Sequence, residues 1–248
     1  MISIILLLAC IQLHPVNTHQ SASSDLLKPV DTLQYIMGKF DPATYPNFVK
    51  VPPRYTTQEN QYLRVETLAA YLKMNIAARG DGIQLNILSS TRNFNAQKLI
   101  WENKWTGRTL VDHGQNLAKT VKDPIKRATI ILEYSSMPST SRHHWGTDID
   151  LNALNNEYFD SVEGKKIYDW LTKNAASFGF CQPYTAGRHH GYNEEKWHWS
   201  YLPLSKPLTD YCQRKMTNDK ITGFLGAQTA IQLDVIKNYI LGINTACL

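Results

Sequence analysis

The sequence predicts an α+β fold in which helices flank an antiparallel sheet. Helical patterns and short alternating strand patterns follow one another irregularly along the 248 residues, with short connections between them. With 43% hydrophobic and 19% charged residues, the chain has the composition of a folded domain with a sizeable core. The sequence contains no internal repeat and no low-complexity segment.

The first helices are expected on either side of a proline-rich connection. Residues 31–39 fit a short helix, and four prolines within residues 40–55 indicate an extended, irregular segment. A long helix follows, because Thr56 and Glu59 have the spacing of a capping box. Its apolar stripe is expected at Tyr62, Val65, Leu68, Leu72 and Ile76. The glycines at positions 80 and 82 end this helix.

Three stretches read as strands. Residues 83–88 alternate apolar and polar side chains, and Arg92 lies just past their end. TDIDL, residues 147–151, is a short strand that follows a loop. KWHWSYL, residues 196–202, has its aromatic side chains on one face and His198 with Ser200 on the other.

Further helices complete the pattern. One is expected through Leu99 and Trp101, and others at residues 124–132, 163–177 and 228–241. Gly179 and Gly242 end the last two.

The charge and the cysteines exclude some classes of function. The formal net charge of +5 comes without a Lys/Arg-rich run or a nucleic-acid motif, so DNA or RNA binding is not expected. A mild attraction to an anionic polymer such as a cell wall is compatible with this charge. Beyond Cys10, the chain has Cys181, Cys212 and Cys247, which form at most one disulfide and no C-x-x-C zinc motif.

Two motifs, SRHHWGTDIDL (residues 141–151) and EEKWHWSY (residues 194–201), carry candidate metal ligands. Catalytic zinc typically takes three protein ligands and keeps a position for water, and His143, Asp150 and His198 offer such a set. They converge if Gly146 lets the chain turn and the two strands pair. Glu195 is placed to take a proton from metal-bound water. Taken alone, His198 is more typical of a core residue, and the two motifs together favour the metal.

The two motifs resemble those of the zinc D-alanyl-D-alanine carboxypeptidases of the VanY type, in the pattern Ser141-x-His143-x-x-Gly146-x-x-x-Asp150 followed by Glu195-x-Trp197-His198-x-x-Tyr201. This group shares its fold with the hedgehog signalling domain, and the resemblance runs from about Leu85 to Leu204. It implies that His143, Asp150 and His198 bind Zn²⁺ and that Glu195 is the catalytic base.

The resemblance also implies substrate-binding residues. Arg92, with Gln97 downstream, looks like the family arginine that grips the free carboxylate of the terminal D-residue, a task suited to a guanidinium. Ser141 contacts substrate or steadies the site. The family usually has a small residue where this chain has Asp148, so either a role behind the ligands or a change of selectivity is expected there. Trp197 and Tyr201 are expected to line or support the pocket.

We therefore expect an exported zinc peptidase that removes a C-terminal D-amino acid, D-Ala, from peptidoglycan stem peptides. An endopeptidase of the same fold is an alternative, although it would have no terminal carboxylate for Arg92 to hold. A zinc-stabilised binding module without catalysis is another, and Glu195 beside a complete ligand set weighs against it. The sequence leaves open DD- against LD-specificity and the oligomeric state.

The sequence divides into an N-terminal export signal, a tether and one catalytic domain. Residues 1–20 read as an export signal, because their apolar run is too short to span a bilayer. Residues 7–10, ending in Cys10, resemble a bacterial lipobox, whereas the absence of Lys or Arg before Lys28 argues against one, so lipid anchoring and simple cleavage both stay open. We expect a periplasmic or envelope-associated protein, with a tether at residues 21–55 and a single catalytic domain at 56–248 that ends in a helix.

Overall fold

The computed structural model describes residues 32–111 and 114–248. The predicted export signal with Cys10 and the first part of the predicted tether lie outside the described residues. No helix of the described part is both long and apolar enough to cross a membrane.

Helices dominate the described residues. The α-helices are α1 (Thr32–Ile36), α2 (Val65–Gly80), α3 (Phe94–Trp105), α4 (Leu117–Thr120), α5 (Pro124–Ile131), α6 (Asn156–Asp160), α7 (Val162–Asn174), α8 (Leu202–Lys215) and α9 (Thr229–Gln232). The strands are β1 (Phe48–Lys50), β2 (Tyr62–Arg64), β3 (Ile87–Ser89), β4 (Asp148–Leu151), β5 (Phe180–Cys181) and β6 (His198–Tyr201). Short 3₁₀ turns lie at Pro53–Tyr55, Arg142–Trp145, Ala175–Phe178, Asn218–Lys220 and Thr245–Cys247.

The central sheet has the strand order β3–β4–β6–β5, and every neighbouring pair is antiparallel. The predicted α+β fold with an antiparallel sheet is therefore confirmed. In the β4–β6 pair, Ile149 lies opposite Trp199 and Asp150 lies opposite His198. Because side chains alternate along a strand, this register places the apolar residues on one face and the polar residues on the other.

The two faces of the sheet have different partners. Ile149, Leu151 and Trp199 belong to a buried core that also contains Tyr71 of α2 and Leu171 of α7. A second core contains Trp101 of α3, Leu132 after α5, Trp145 and Leu208 of α8. The polar face of β4 and β6 carries the candidate site.

Residues 32–55 pack onto the domain, which differs from the tether expected up to residue 55. The Tyr35 hydroxyl donates to the Trp145 carbonyl oxygen at 2.5 Å, and the Trp145 indole donates to the Ile36 carbonyl oxygen at 3.2 Å. Strand β1 pairs with β2 in a separate two-stranded sheet. The reason is the apolar content of this segment, whose rings pack together in a cluster of Tyr35, Phe40, Tyr45 and Phe48.

Helix α2 begins at Val65, not at Thr56, and the predicted apolar stripe is only partly confirmed, by Leu68 and Leu72. Val65 and Ile76 are 50% and 70% exposed, and Tyr62 belongs to β2. The buried face instead includes Tyr71 and Asn75, because their side chains donate to the carbonyl oxygen of Leu85 before β3. Tertiary packing has decided which face is buried. The helix ends at Gly80 as expected.

The C-terminal helix predicted over residues 228–241 is interrupted. After α9, Asp234 adopts a left-handed conformation with φ of 44°, and a π-helical turn follows at Ile236–Ile240. The Asn218 side chain stabilises this break, because its amide donates to Asp234 Oδ1 and its oxygen accepts from the Ile236 amide. A disulfide joins Cys181 to Cys247, and Cys212 is a free, buried thiol.

Candidate active site

The fold brings His143, Asp150 and His198 together from three positions in the chain. Asp150 and His198 face each other across the β4–β6 pair. His143 lies in the 3₁₀ turn Arg142–Trp145, and Gly146 then turns the chain toward β4 with φ of 70°. A Cβ at Gly146 would lie 2.4 Å from Phe48 Cε1, so both the backbone conformation and the space require glycine.

The three side chains converge through specific atoms. His143 Nε2 lies 3.2 Å from Asp150 Oδ2, and His198 Nδ1 lies 3.0 Å from Asp150 Oδ1. The two ring nitrogens are 3.3 Å apart, and one ligand atom from each residue lies within 4.8 Å of the others. All three residues are buried.

The hydrogen bonds around the cluster fit a metal ion. His143 Nδ1 lies 2.7 Å from the Ser90 carbonyl oxygen and must donate to it, so in the neutral ring the lone pair of Nε2 faces the cluster. His198 Nε2 lies 2.9 Å from Asp148 Oδ1, so in the neutral ring Nε2 donates to that oxygen and the lone pair of Nδ1 faces the cluster. Asp150 Oδ1 is buried, and His198 Nδ1 lies 3.0 Å from it. Two imidazole nitrogens and a buried carboxylate match the donor set that zinc prefers.

The electrostatics of the cluster favour a cation. Burial alone would lower the pKa of His198, but hydrogen bonds and charge from Asp148 and Asp150 raise it to about 9. Burial opposes ionisation of Asp150, yet the charges and hydrogen bonds of the two histidines hold its pKa below the usual range. The pKa of His143 is lowered by burial and by the nearby Arg92. The site therefore holds positive charge between buried carboxylates, which a divalent ion can replace.

Glu195 lies beside the cluster and outside the ligand set. Its Oε2 is 3.5 Å from His198 Nδ1. The backbone N–H of Glu195 donates a hydrogen bond to the Tyr184 carbonyl oxygen, and the Glu195 carbonyl oxygen accepts one from the Gln182 side-chain amide. Burial raises the pKa of Glu195 to about 8. A carboxyl group with a pKa near neutrality can both accept and return a proton.

Arg92 follows β3 and reaches the same site. Its Nη1 donates to Ser89 Oγ at 3.1 Å and lies 3.9 Å from Asp150 Oδ2. Its Nε is buried and has no hydrogen-bond partner. His144 holds the backbone of Arg92 in place, because its Nδ1 lies 2.6 Å from the Arg92 carbonyl oxygen while Nε2 accepts from the Ser139 amide. This arrangement fixes His144 in the neutral form, and burial lowers its pKa to about 3.

Gln97 and Ser141 each present an unpaired oxygen. The Gln97 side-chain amide donates to the Ser136 carbonyl oxygen at 2.8 Å, which leaves the buried Oε1 without a partner. Ser141 Oγ is also buried and unpartnered. Both residues line a cavity of about 760 Å³ that Arg92, Glu195 and the His/Asp cluster also line. Such atoms can bind a polar ligand within the cavity.

The remaining predicted residues differ in their distance from this cavity. Asp148 lies behind the cluster and contacts His198. Trp197 lines the cavity, and its ring lies 6.4 Å from that of Tyr134. Tyr201 packs on Phe180 at 5.4 Å and is absent from the cavity lining.

Sequence reasoning missed two residues of the site. Tyr184 lines the cavity and its ring lies 4.7 Å from that of His198, and no pattern in the loop after β5 indicates this. Arg142 is almost completely buried and donates to Asp148 Oδ1 at 3.1 Å. Its position inside the first motif, between Ser141 and His143, was an available signal.

The solved structure of a similar protein supports this fold. The LD-carboxypeptidase LdcB, whose structure concerns peptidoglycan recognition, superposes with a TM-score of 0.51 at 21% identity and covers 73% of this chain and 77% of its own. VanYB in complex with D-alanine-D-alanine superposes with a TM-score of 0.48 at 22% identity, covering 70% of this chain and 87% of its own.

Curated sequences match part of this chain. YodJ of Bacillus subtilis, which carries the name of a carboxypeptidase, is 26% identical over 152 residues, or 58% of this chain, and the chain spans about half of that relative, 48% of its length. An uncharacterised Haemophilus influenzae protein is 30% identical over 84 residues, covering 33% of this chain and 58% of its own. The family model described as VanY, D-alanyl-D-alanine carboxypeptidase, matches residues 60–204, more than half of the chain. The chain therefore belongs to the VanY family of D-alanyl-D-alanine carboxypeptidases.

Proposed function

We propose that this protein is a zinc-dependent carboxypeptidase that removes the C-terminal D-amino acid, D-Ala, from peptidoglycan stem peptides. The observation that carries the proposal is the convergence of His143, Asp150 and His198 within 4.8 Å in a cavity that Glu195 and Arg92 also line. Membership of the VanY family supports the reaction, and the similarity to LdcB, whose structure concerns peptidoglycan recognition, supports the class of substrate.

His143, Asp150 and His198 would hold the zinc ion, through Nε2, a carboxylate oxygen and Nδ1. Zinc at this position would supply a Lewis acid that polarises the scissile carbonyl group and makes water more acidic. The protein contributes the orientation of the ligands, because each histidine ring is held through its other nitrogen.

Glu195 would transfer the protons of the reaction. It takes a proton from the attacking water and then gives it to the amine that leaves with the terminal residue. Its pKa of about 8, caused by burial, supports both halves of this role near neutral pH. Its Oε2 lies 3.5 Å from His198 Nδ1, which supports a role close to the proposed zinc position.

Arg92 would bind the free carboxylate of the terminal residue. Its buried Nε has no partner in the protein, and a guanidinium binds carboxylate through two parallel hydrogen bonds. This role favours removal of a terminal residue over an internal cut. Gln97 Oε1 and Ser141 Oγ would pair with polar groups of the same substrate.

The proposed substrate lies outside the cytoplasmic membrane, which agrees with the export expected for residues 1–20. Accordingly, we propose that the enzyme acts at the cell envelope. Fractionation of cells expressing the full chain would test this, and enzyme confined to the cytosol would contradict it.

The test of the reaction is product analysis by mass spectrometry. The zinc-loaded protein is incubated with muropeptides that end in D-Ala-D-Ala and with muropeptides that end in a single D-Ala after L-Lys or diaminopimelate. Loss of one terminal residue supports the proposal, and the substrate that loses it gives the DD- or LD-specificity. An internal cut would indicate an endopeptidase, and intact peptides with zinc bound would indicate a binding module. Protein stripped of metal by a chelator is the control.

A further inference from the structure

A buried ion pair lies directly behind the candidate ligand His198. Arg142 and Asp148 have side chains only 1% and 0% exposed, and Arg142 Nε donates to Asp148 Oδ1 at 3.1 Å. The same Oδ1 atom lies 2.9 Å from His198 Nε2. The other carboxylate oxygen accepts from the Thr147 hydroxyl. Both oxygens of Asp148 are therefore paired, and the carboxylate cannot turn without losing a hydrogen bond.

Arg142 is itself held by three parts of the fold. Its Nη1 donates to Thr209 Oγ1 of α8 at 3.0 Å, and its Nη2 donates to Ser200 Oγ of β6 at 2.8 Å. The guanidinium carbon lies 4.7 Å from the centre of the Trp145 ring. A buried charge is stable only when its hydrogen bonds are satisfied, and this network satisfies them. It therefore fixes Asp148 relative to β6, which also carries His198.

The pair determines which nitrogen of His198 faces the cluster. An imidazole ring can turn by half a rotation and can carry its proton on either nitrogen. With Asp148 in place, Nε2–H has an ionised acceptor and Nδ1 is directed toward His143 and Asp150. A turned ring would set a carbon atom against the carboxylate and lose this bond. The nitrogen atom that the cluster needs is thus held in position before any metal arrives.

We propose that Arg142 and Asp148 form a positioning unit that orients His198 Nδ1 toward the metal and so strengthens metal binding. The proposal rests on the zinc site of the proposed function. Asp148 supplies the acceptor for the ring, and Arg142 holds and balances the Asp148 carboxylate. Neither residue is assigned a contact with substrate or with the metal.

The experiment is a zinc titration against a fluorescent chelator, which reads binding and not activity. We expect Asp148→Ala to weaken zinc binding by roughly 10- to 100-fold, the usual effect of removing the partner of a ligating histidine. Asp148→Asn keeps an acceptor for Nε2–H and should recover part of this loss. Asp169→Ala removes an exposed carboxylate of α7 and should leave zinc affinity unchanged.

A second variant separates metal binding from folding. Asp148→Ala leaves Arg142 buried without its counter-charge, so the single variant can be poorly folded. The double variant Asp148→Ala with Arg142→Met removes both charges, and we expect it to regain folding stability while keeping the weak zinc binding. If a folded Asp148 variant binds zinc as tightly as the wild type, the pair is only structural and the proposal is wrong. Wild-type protein that binds no zinc would overturn the proposed function as well.

Discussion

Replacement of Arg92 by methionine separates recognition of the substrate carboxylate from chemistry at the scissile bond. Arg92→Met keeps most of the aliphatic stem and removes the guanidinium, including the Nε that lacks a partner in the protein. If Arg92 binds the terminal carboxylate, the variant should lose activity only on substrates that have this group.

The size of the effect follows from hydrogen bonds to a charged group, each of which contributes about 1.5–3 kcal/mol. Because the Arg92 side chain is 27% exposed, solvent screens part of this energy and we use the lower half of the range. Two such bonds then contribute about 3–4.5 kcal/mol, and the expected loss in kcat/KM is roughly 10²- to 10³-fold, since about 1.4 kcal/mol corresponds to a factor of ten.

The assay compares two peptides with two proteins. We measure kcat/KM of the wild type and of Arg92→Met on a stem peptide with a free terminal carboxylate and on the same peptide with a terminal amide. The interaction between Arg92 and the carboxylate is then calculated as in a double-mutant cycle. Arg79→Met is the matched control, because Arg79 is exposed at the end of α2 and does not line the cavity. Zinc content is measured for each protein, because Arg92 Nη1 lies 3.9 Å from the candidate ligand Asp150.

Equal loss on the acid and the amide would refute this reasoning. It would mean that Arg92 supports the site in general and does not recognise a terminal carboxylate. Wild-type protein that cleaves the amide as fast as the acid would contradict the proposed exopeptidase specificity directly.

Three further predictions concern stability. The pKa of His144 is about 3 in the folded state and about 6.5 in an unfolded chain, so protonation favours unfolding below pH 6.5. Urea unfolding between pH 6.5 and 4 should therefore show a free energy of unfolding that falls as the pH is lowered. In His144→Gln this fall should be shallower, by up to about 1.4 kcal/mol per pH unit. The Cys181–Cys247 disulfide spans 66 residues, and chain entropy predicts that its reduction lowers the free energy of unfolding by about 4 kcal/mol. The Cys247→Ala variant should unfold identically with and without reductant. Gly146→Ala should lose at least about 1–2 kcal/mol in thermal unfolding, because its left-handed conformation disfavours a Cβ and Phe48 occupies the space; equal stability would contradict the requirement for glycine at this turn.

The cluster of candidate ligands could be predicted because strand alternation and motif spacing both indicate it. Asp150 and His198 each lie on a short strand with apolar neighbours on the opposite face, and the two strands pair so that these residues are opposite each other. His143 depended on a turn at Gly146, which the left-handed conformation of that glycine now provides. The alternation within each strand is visible in the sequence, whereas the pairing of the two strands was expected from the resemblance of both motifs to the VanY-type carboxypeptidases.

The features that escaped prediction depend on contacts between distant segments. The stripe from Tyr62 to Ile76 looked helical throughout, but pairing with β1 draws Tyr62 into a strand and packing buries Tyr71 and Asn75 instead. The packing of Tyr35 on Trp145 joins residues 110 positions apart, and nothing near Tyr35 indicates it. The sequence allowed any pairing among three cysteines, and only the proximity of β5 to the C-terminus selects Cys181 with Cys247.

The most direct test of the zinc peptidase mechanism is Glu195→Gln, measured for zinc content and turnover on the same preparation. Glutamine keeps the shape of the buried side chain and removes its capacity to accept a proton, and Glu195 is outside the ligand set. We predict that zinc content is unchanged while kcat falls by about 10²- to 10⁴-fold, the contribution typical of a general base. Turnover at the wild-type rate with zinc bound would contradict the assignment of Glu195 and the proposed mechanism.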